Sequence, residues 1–332
     1  MRWSEPALLA LVGILAFLVS AAATAWARRY STRRGLVDQP GERRSHAIPT
    51  PRGGGIGIAI AGLACLATLG VFVDGSWWWA AAGLLLVAAA GWWDDHRPTS
   101  PLLRLAVHAL AGIALAVAMA GQGATPREAI LGCVLVIGLV NVWNFMDGID
   151  GLAASQGALC AAALLIVASG PSALLAMAVA AACLGFLPFN LPRARIFMGD
   201  AGSGAIGFLL AMLLAFVAMG RPISQWGVLL LTVSAFLVDA AMTLGWRALR
   251  GDRWWSPHVQ HLYQRASRRF GHGRVALAYA GWTIFVISVM LATLHARSTG
   301  AWVVGAGVWV LAFAVWFSLH RRWSGTAEGF DR

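Results

Sequence analysis

Eleven apolar runs, most of them close to the length of a bilayer-crossing helix, leave this chain little choice of architecture. They cover residues 6–26, 53–73, 77–93, 102–121, 129–146, 152–169, 173–189, 203–220, 226–246, 275–294 and 301–320. About 20 apolar residues in a helix cross a hydrocarbon core, so the sequence predicts an all-α polytopic integral membrane protein with about eleven transmembrane helices. Of the 332 residues, 59% are hydrophobic and 12% charged. Soluble domains carry roughly 45–50% and 25%, which excludes a water-soluble enzyme. The connections are rich in Gly, Pro, Ser and charge, and no repeat halves the chain, so residues 1–332 read as one domain.

The basic residues orient the bundle. All 25 are arginine, and the net charge is +11. In so apolar a chain this excess points to loops facing anionic lipid, not to nucleic acid. Loops at about 27–52, 94–101, 147–151, 190–202 and 247–274, together with the inner helix ends beside them and the C-terminal tail, lie on one side and hold twenty-one of the arginines; the other side holds four. The positive-inside rule makes the first side cytoplasmic, with the N-terminus outside and the C-terminus inside. The first run is followed by Arg28 and Arg29 and exceeds the roughly 7–15 residues of a signal-peptide core, so it is expected to be retained. Cys65, Cys133, Cys160 and Cys183 lie in apolar runs without CxxC spacing, which argues against disulfides and a zinc site.

The acidic residues fall on the same side. Asp94 and Asp95 close the third run in GWWDDHRPTS, Asp147 and Asp150 close the fifth in NVWNFMDGIDGLA, and Asp200 opens the eighth in FNLPRARIFMGDAGSG. Capping and solvation account for Glu42, Asp252, Glu328 and Asp331. They do not account well for five Asp at three glycine-flanked interfacial turns, because carboxylates at a membrane edge are costly and usually functional. Hard oxygen ligands in this number suit Mg²⁺, with Mn²⁺ as a second candidate. His46, Arg52, His258, His261 and Arg265 sit among Pro, Gly and aromatic residues in the two basic loops. Arginine forks suit phosphate oxygens, and the combination points to a phosphorylated substrate, a diphosphate above all. Arg28, Arg29, Arg33, Arg34, Arg268 and Arg269 are read as positive-inside charge, and His108, His295 and His320 as packing residues.

These motifs, in order from about residue 36 to 275, resemble the polyprenyl-phosphate N-acetylhexosamine-1-phosphate transferases of glycosyltransferase family 4. The eleven runs and the segment HVQHLYQR look like the branch that initiates O-antigen and enterobacterial common antigen. The resemblance implies that Asp94 and Asp95 stand at the catalytic centre and that Asp200 holds Mg²⁺. It implies that Asn141, Asn144, Asp147 and Asp150 line the nucleotide-sugar site, with Asn190 and Phe197 near the uracil ring. His46 and Arg52 match basic positions of the first loop, and His258 and His261 match the histidine segment near the diphosphate. Asp239 falls where the family carries an acid of unassigned role. His96-Arg97 follow the acidic pair where several relatives place a basic residue slightly later, and the histidines of HVQHLYQR are not adjacent.

The reaction so implied transfers N-acetylhexosamine 1-phosphate from a UDP-N-acetylhexosamine to polyprenyl (undecaprenyl) phosphate in a bacterial inner membrane and releases UMP. The active site lies on the cytoplasmic face, and a second copy of the chain is a candidate partner. Three other readings stand beside it: the phospho-N-acetylmuramoyl-pentapeptide transferase of the same superfamily, an ion-coupled transporter, and a cell-wall scaffold.

Overall fold

The computed structural model describes residues 5–39, 48–253, 258–296 and 301–324. His46, expected in the site, lies outside the described residues. The apolar runs all fold as helices, and the described chain is nearly all helical. In order these are α1 (Glu5–Arg34), α2 (Ile56–Phe72), α3 (Trp77–His96), α4 (Pro101–Gly121), α5 (Pro126–Met146), α6 (Leu152–Val167), α7 (Gly170–Asn190), α8 (Asp200–Ala218), α9 (Ile223–Leu229), α10 (Ser234–Leu249), α11 (Leu262–Phe270), α12 (His272–Ala296) and α13 (Ala301–Ser324). A 3-10 turn over Leu230–Val233 joins α9 to α10. Two short strands, β1 (Val37–Asp38) and β2 (Thr50–Pro51), pair antiparallel between α1 and α2.

Among the described residues, eight helices are long and apolar enough to cross a membrane: α1, α4, α5, α7, α8, α9–α10 taken together, α12 and α13. The sequence expectation of about eleven is larger. The difference lies in α2 and α6, which have 17 and 16 residues, and in α3, whose end carries Asp94 and Asp95. The loops are also shorter than expected. α1 continues to Arg34, and α10 to Leu249, while α11 occupies much of the loop placed at 247–274.

Local chemistry sets the helix boundaries. Ser100 accepts the Leu103 amide at 3.2 Å and Pro101 takes the first helical position, so α4 starts one turn after the acidic pair. At α5, Thr125 Oγ1 accepts the Glu128 amide while Glu128 Oε2 accepts the Thr125 amide, a reciprocal cap. α8 is the axis of the bundle: every residue but Asp200 and Phe216 is buried, against α2, α3, α5, α6 and α7. By contrast, only 17% of the apolar window of α1 and 22% of those of α12 and α13 are buried. Among the described residues their remaining apolar faces are left uncovered, which fits a multi-pass membrane protein.

Small residues let α8 approach so closely. A Cβ at Gly207 would stand 2.5 Å from Leu139 O and 2.6 Å from Val140 Cα of α5. A Cβ at Gly91 of α3 would stand 2.5 Å from Asp200 C and Ala201 N. The second contact draws the end of α3 against the start of α8, where the acids lie. Gly207→Leu should therefore cost about 1–3 kcal/mol by overpacking and lower the thermal midpoint of detergent-purified protein. Gly281→Ala, on an open face of α12, should not lower that midpoint, because Ala is the better helix former.

Candidate active site

Helix ends and turns from α1 to α12 gather at one end of the bundle. Gly54 and Gly55 donate to Phe197 O and Met198 O at 2.9 and 2.8 Å, and the Phe197 amide donates to Pro51 O at 2.8 Å. This lays the segment after β2 along the α7–α8 loop. The same end holds the turn between α5 and α6, because Gly151 N donates to Asn190 Oδ1 at 2.7 Å.

Asp95 is the hub. Its side chain is 3% exposed. Oδ1 accepts Arg52 Nε at 3.1 Å, Arg52 Nη2 at 2.6 Å and the Asp200 amide at 3.0 Å; Oδ2 accepts the Ala201 amide at 3.4 Å. Asp95 thus caps α8 and neutralises Arg52 at once. Gly199 (φ +76°) is required there, since a Cβ would run into the Asp95 carboxylate. Burial alone would lower the Arg52 pKa, but the adjoining Asp95, with Asp200 and Asp94 behind it, raises it instead.

Asp94 faces the other way along α3. It accepts the Thr99 amide at 2.7 Å, the Thr99 hydroxyl, and Arg104 Nη1 at 3.1 Å. Arg104 Nη1 also lies 3.7 Å from Asp200 Oδ2, so one guanidinium bridges the Asp94 and Asp200 carboxyls. Asp147 follows directly after α5. Removal from water, reinforced by Asp200 and Asp95, pushes its carboxyl up to about 8. Asp94, Asp95 and Asp200 share two guanidiniums, Arg52 and Arg104, and the raised pKa leaves Asp147 largely protonated at neutral pH; a divalent cation would draw this acid-rich cluster into its ionised form. Among the described residues no three acidic or histidine side chains converge into a complete metal cage. The Asp94–Asp200 pair fits Mg²⁺, which is commonly held by one or two carboxylates and completed by waters and substrate phosphates.

A cavity of about 240 Å³ opens beside this cluster, lined by Arg52, Asp147, Phe197, Asp200, Gln264 and Arg268 among others. Arg52, Asp147, Asn190, Phe197 and Asp200 were expected here from sequence, and the cavity brings them together. Asn190 reaches it with its side chain spent on backbone: Oδ1 on Gly151 N, Nδ2 donating to Ile196 O at 3.1 Å. It fixes the shape of the wall. Asp150 accepts the Ala194 amide at 3.2 Å and lies 3.5 Å from His272 Nδ1, so it ties the acidic turn to α12. Asn144 donates to Ser203 Oγ at 3.4 Å. Asn141 lies deeper in the bundle and donates to His108 Nδ1 at 3.1 Å and Ile137 O at 2.7 Å. His108 therefore has a companion, contrary to its reading as a lone packing residue.

The histidine segment borders the cavity through Val259, Gln264, Ser267 and Arg268. His261 is 3% exposed, and its ring lies 4.8 Å from that of His258 and 6.1 Å from that of Phe145. Burial, then the neighbouring His261 and Arg247, lowers the His258 pKa from 6.5 to about 4. Burial also lowers that of His261, against the opposing pull of Asp239. Arg265 is half-buried on α11, with its pKa lowered by burial and Arg250. Sequence reasoning missed Arg104, Thr99, Tyr263, His272 and Arg268. Arg104 had a local signal, being one turn inside a helix that starts just after the acidic pair. Arg268, which the sequence alone assigns to positive-inside charge, turns to the cavity.

Fold and site together define a polytopic membrane protein with a charged centre at one end of an apolar bundle. The pattern of glycosyl transferase family 4 matches residues 77–218, the stretch from α3 to the end of α8. The chain is 33% identical to the decaprenyl-phosphate N-acetylglucosaminephosphotransferase of Mycobacterium tuberculosis (strain CDC 1551 / Oshkosh), over 90% of this chain and 86% of the relative. It is 31% identical to the undecaprenyl-phosphate alpha-N-acetylglucosaminyl 1-phosphate transferase of Yersinia pestis, over 83% of this chain and 82% of the relative. A phospho-N-acetylmuramoyl-pentapeptide-transferase of Synechococcus sp. (strain JA-3-3Ab) is 43% identical, but over only 30% of this chain and 31% of the relative. The chain belongs to glycosyl transferase family 4, among the polyprenyl-phosphate N-acetylhexosamine-1-phosphate transferases.

The depressed His258 pKa carries a sign. Between pH 6.5 and about 4 the unfolded chain binds a proton there that the folded one does not, so stability is full above that window and falls as the pH drops through it. The thermal midpoint should fall as the pH is lowered from about 7 to about 4, and His258→Gln should fall less steeply. Parallel curves for the two proteins would contradict this.

Proposed function

We propose that this protein transfers N-acetylhexosamine 1-phosphate from a UDP-sugar to polyprenyl phosphate and releases UMP. The observation that carries the proposal is the cavity flanked by Arg52, Arg268, Asp147 and Asp200 at one end of a bundle whose flanks face lipid. A water-borne nucleotide sugar and a membrane-borne acceptor both have access to such a site. The relatives' names supply the acceptor and the sugar-phosphate class; the cavity supplies charges suited to a diphosphate.

A phosphate oxygen of the lipid attacks the sugar-linked phosphorus. The new P–O bond forms as the bond to the α-phosphate breaks, and UMP leaves with the electron pair, so sugar and phosphate move together. The acceptor's second pKa of roughly 6 leaves it mostly dianionic at neutral pH, so no strong base is needed. Asp95, saturated by Arg52 and the α8 amides, is unsuited to be that base and serves to aim Arg52 and the start of α8. Arg52 and Arg268 meet phosphate oxygens, and Arg104 keeps Asp94 and Asp200 together. Mg²⁺, with Mn²⁺ as a substitute, would be held by Asp200 and Asp94 and supply charge neutralisation for the diphosphate.

The arginine asymmetry supports a reading in which this end of the bundle lies at the cytoplasmic face of a bacterial plasma membrane, with the N-terminus outside and the C-terminus inside. The product starts a lipid-linked cell-envelope glycan, of the O-antigen type on the form of the HVQHLYQR segment. Membranes containing the protein, given Mg²⁺, undecaprenyl phosphate and radiolabelled UDP-GlcNAc or its epimer, should yield butanol-soluble labelled lipid and UMP. EDTA should abolish the product, and Asp200→Asn should lower the rate by about 10²–10³-fold. No lipid product from any UDP-HexNAc, with Asp200→Asn indistinguishable from wild type, would defeat the proposal.

A further inference from the structure

Asp239 belongs to no motif used above, yet it is the most heavily bonded acid in the described structure. It lies on α10 and is 2% exposed. Oδ1 accepts the Leu262 amide at 2.8 Å, Trp316 Nε1 at 3.2 Å and Thr243 Oγ1 at 3.2 Å. Oδ2 accepts the Tyr263 amide at 3.1 Å and the Tyr279 hydroxyl at 2.7 Å. One carboxylate thus ties α10, α11, α12 and α13 together, and two of its five donors are the first amides of α11. A helix of nine residues is too short to hold itself, and its free N-terminal amides need an acceptor.

What α11 does next gives this anchor a consequence for the site. Tyr263, 1% exposed, crosses from α11 and donates its hydroxyl to Phe145 O at 2.9 Å. A Cβ at Gly148 would collide with that hydroxyl. The phenol therefore seats against the residues on both sides of Asp147. Gln264, Ser267 and Arg268 of the same helix line the cavity.

We infer that Asp239 is a positioning residue for the transfer reaction: by capping α11 it holds the cavity face of that helix, and through Tyr263 the Asp147 turn, in register with Asp200. The inference rests on the proposed transfer reaction only for its kinetic readout. A buried carboxylate with five donors cannot be replaced by an amide without a donor facing a donor, because Asn offers a single acceptor oxygen.

The test is amide hydrogen exchange on the full-length protein in detergent, paired with the UDP-HexNAc assay. Asp239→Asn should speed exchange of residues 262–270 by about tenfold or more while α8 exchanges as in wild type. It should also lower kcat by about 10–100-fold, the scale of an ångström-sized misplacement. Tyr263→Phe keeps the cap and should speed exchange only over residues 145–151, with a smaller loss of kcat. Wild-type exchange at 262–270 in Asp239→Asn, or wild-type kcat in either variant, overturns the inference. If Asp239→Asn exchanges rapidly throughout and has not folded, Tyr263→Phe alone decides on the same criteria. If wild type transfers no HexNAc phosphate, the functional proposal fails, while the exchange data still decide whether Asp239 anchors α11.

Discussion

A single buried carboxylate, Asp95, fixes how the charged end of this bundle is assembled. Three parts of the chain far apart in sequence meet on it: Arg52 from the segment between β2 and α2, its own helix α3, and the first amides of α8. A buried charge is tolerated only when paired and fully hydrogen-bonded, so the four contacts are a condition for folding as much as a consequence of it. Once they form, Asp94 is turned toward Arg104 and Asp200, and Asp200 lies at the start of α8, where the helix dipole favours negative charge. The cavity follows from that arrangement.

Asp239 performs the parallel task on the other side of the cavity. Both acids accept the opening amides of a helix that borders the site, α8 in one case and α11 in the other. The remaining walls are pinned by side chains that bond to backbone, such as Asn190 on Gly151 and Ile196. The polar groups in this end of the molecule therefore divide into those that hold the walls and those that face the cavity. Arg52, Asp147, Asp200, Gln264, Ser267 and Arg268 belong to the second set.

Much of this was legible in the sequence, for a physical reason. Apolar runs of bilayer length are explicit in composition, and acids cannot hide in them, so the runs and the acidic turns stood out together. The helical nature of every run and the convergence of Arg52, Asp147, Asn190, Phe197 and Asp200 are both found in the structure. What sequence could not supply was partnership. Asn141 and Asn190 look alike in a motif, yet one bonds to His108 inside the bundle and the other to the cavity wall. Arg268 and Arg269 are neighbours, and only helical phase decides that Arg268 faces the cavity. Tyr263 and His272 act through contacts to Phe145 and Asp150, more than a hundred residues away, and no local pattern encodes these. Among the described residues eight helices have the length and composition of a crossing; of the other runs, α2 and α6 are shorter and α3 ends in Asp94 and Asp95.

On the proposed reading the Asp94–Asp200 pair, framed by Arg104 and Arg52, would hold a divalent cation that neutralises the substrate diphosphate. The most direct measurement is anomalous scattering from crystals of the protein grown with Mn²⁺ and UMP. A peak in contact with the carboxylates of Asp200 and Asp94 and with the nucleotide phosphate is predicted. A nucleotide bound in the cavity with no peak there, or a peak held by other residues, would contradict the account.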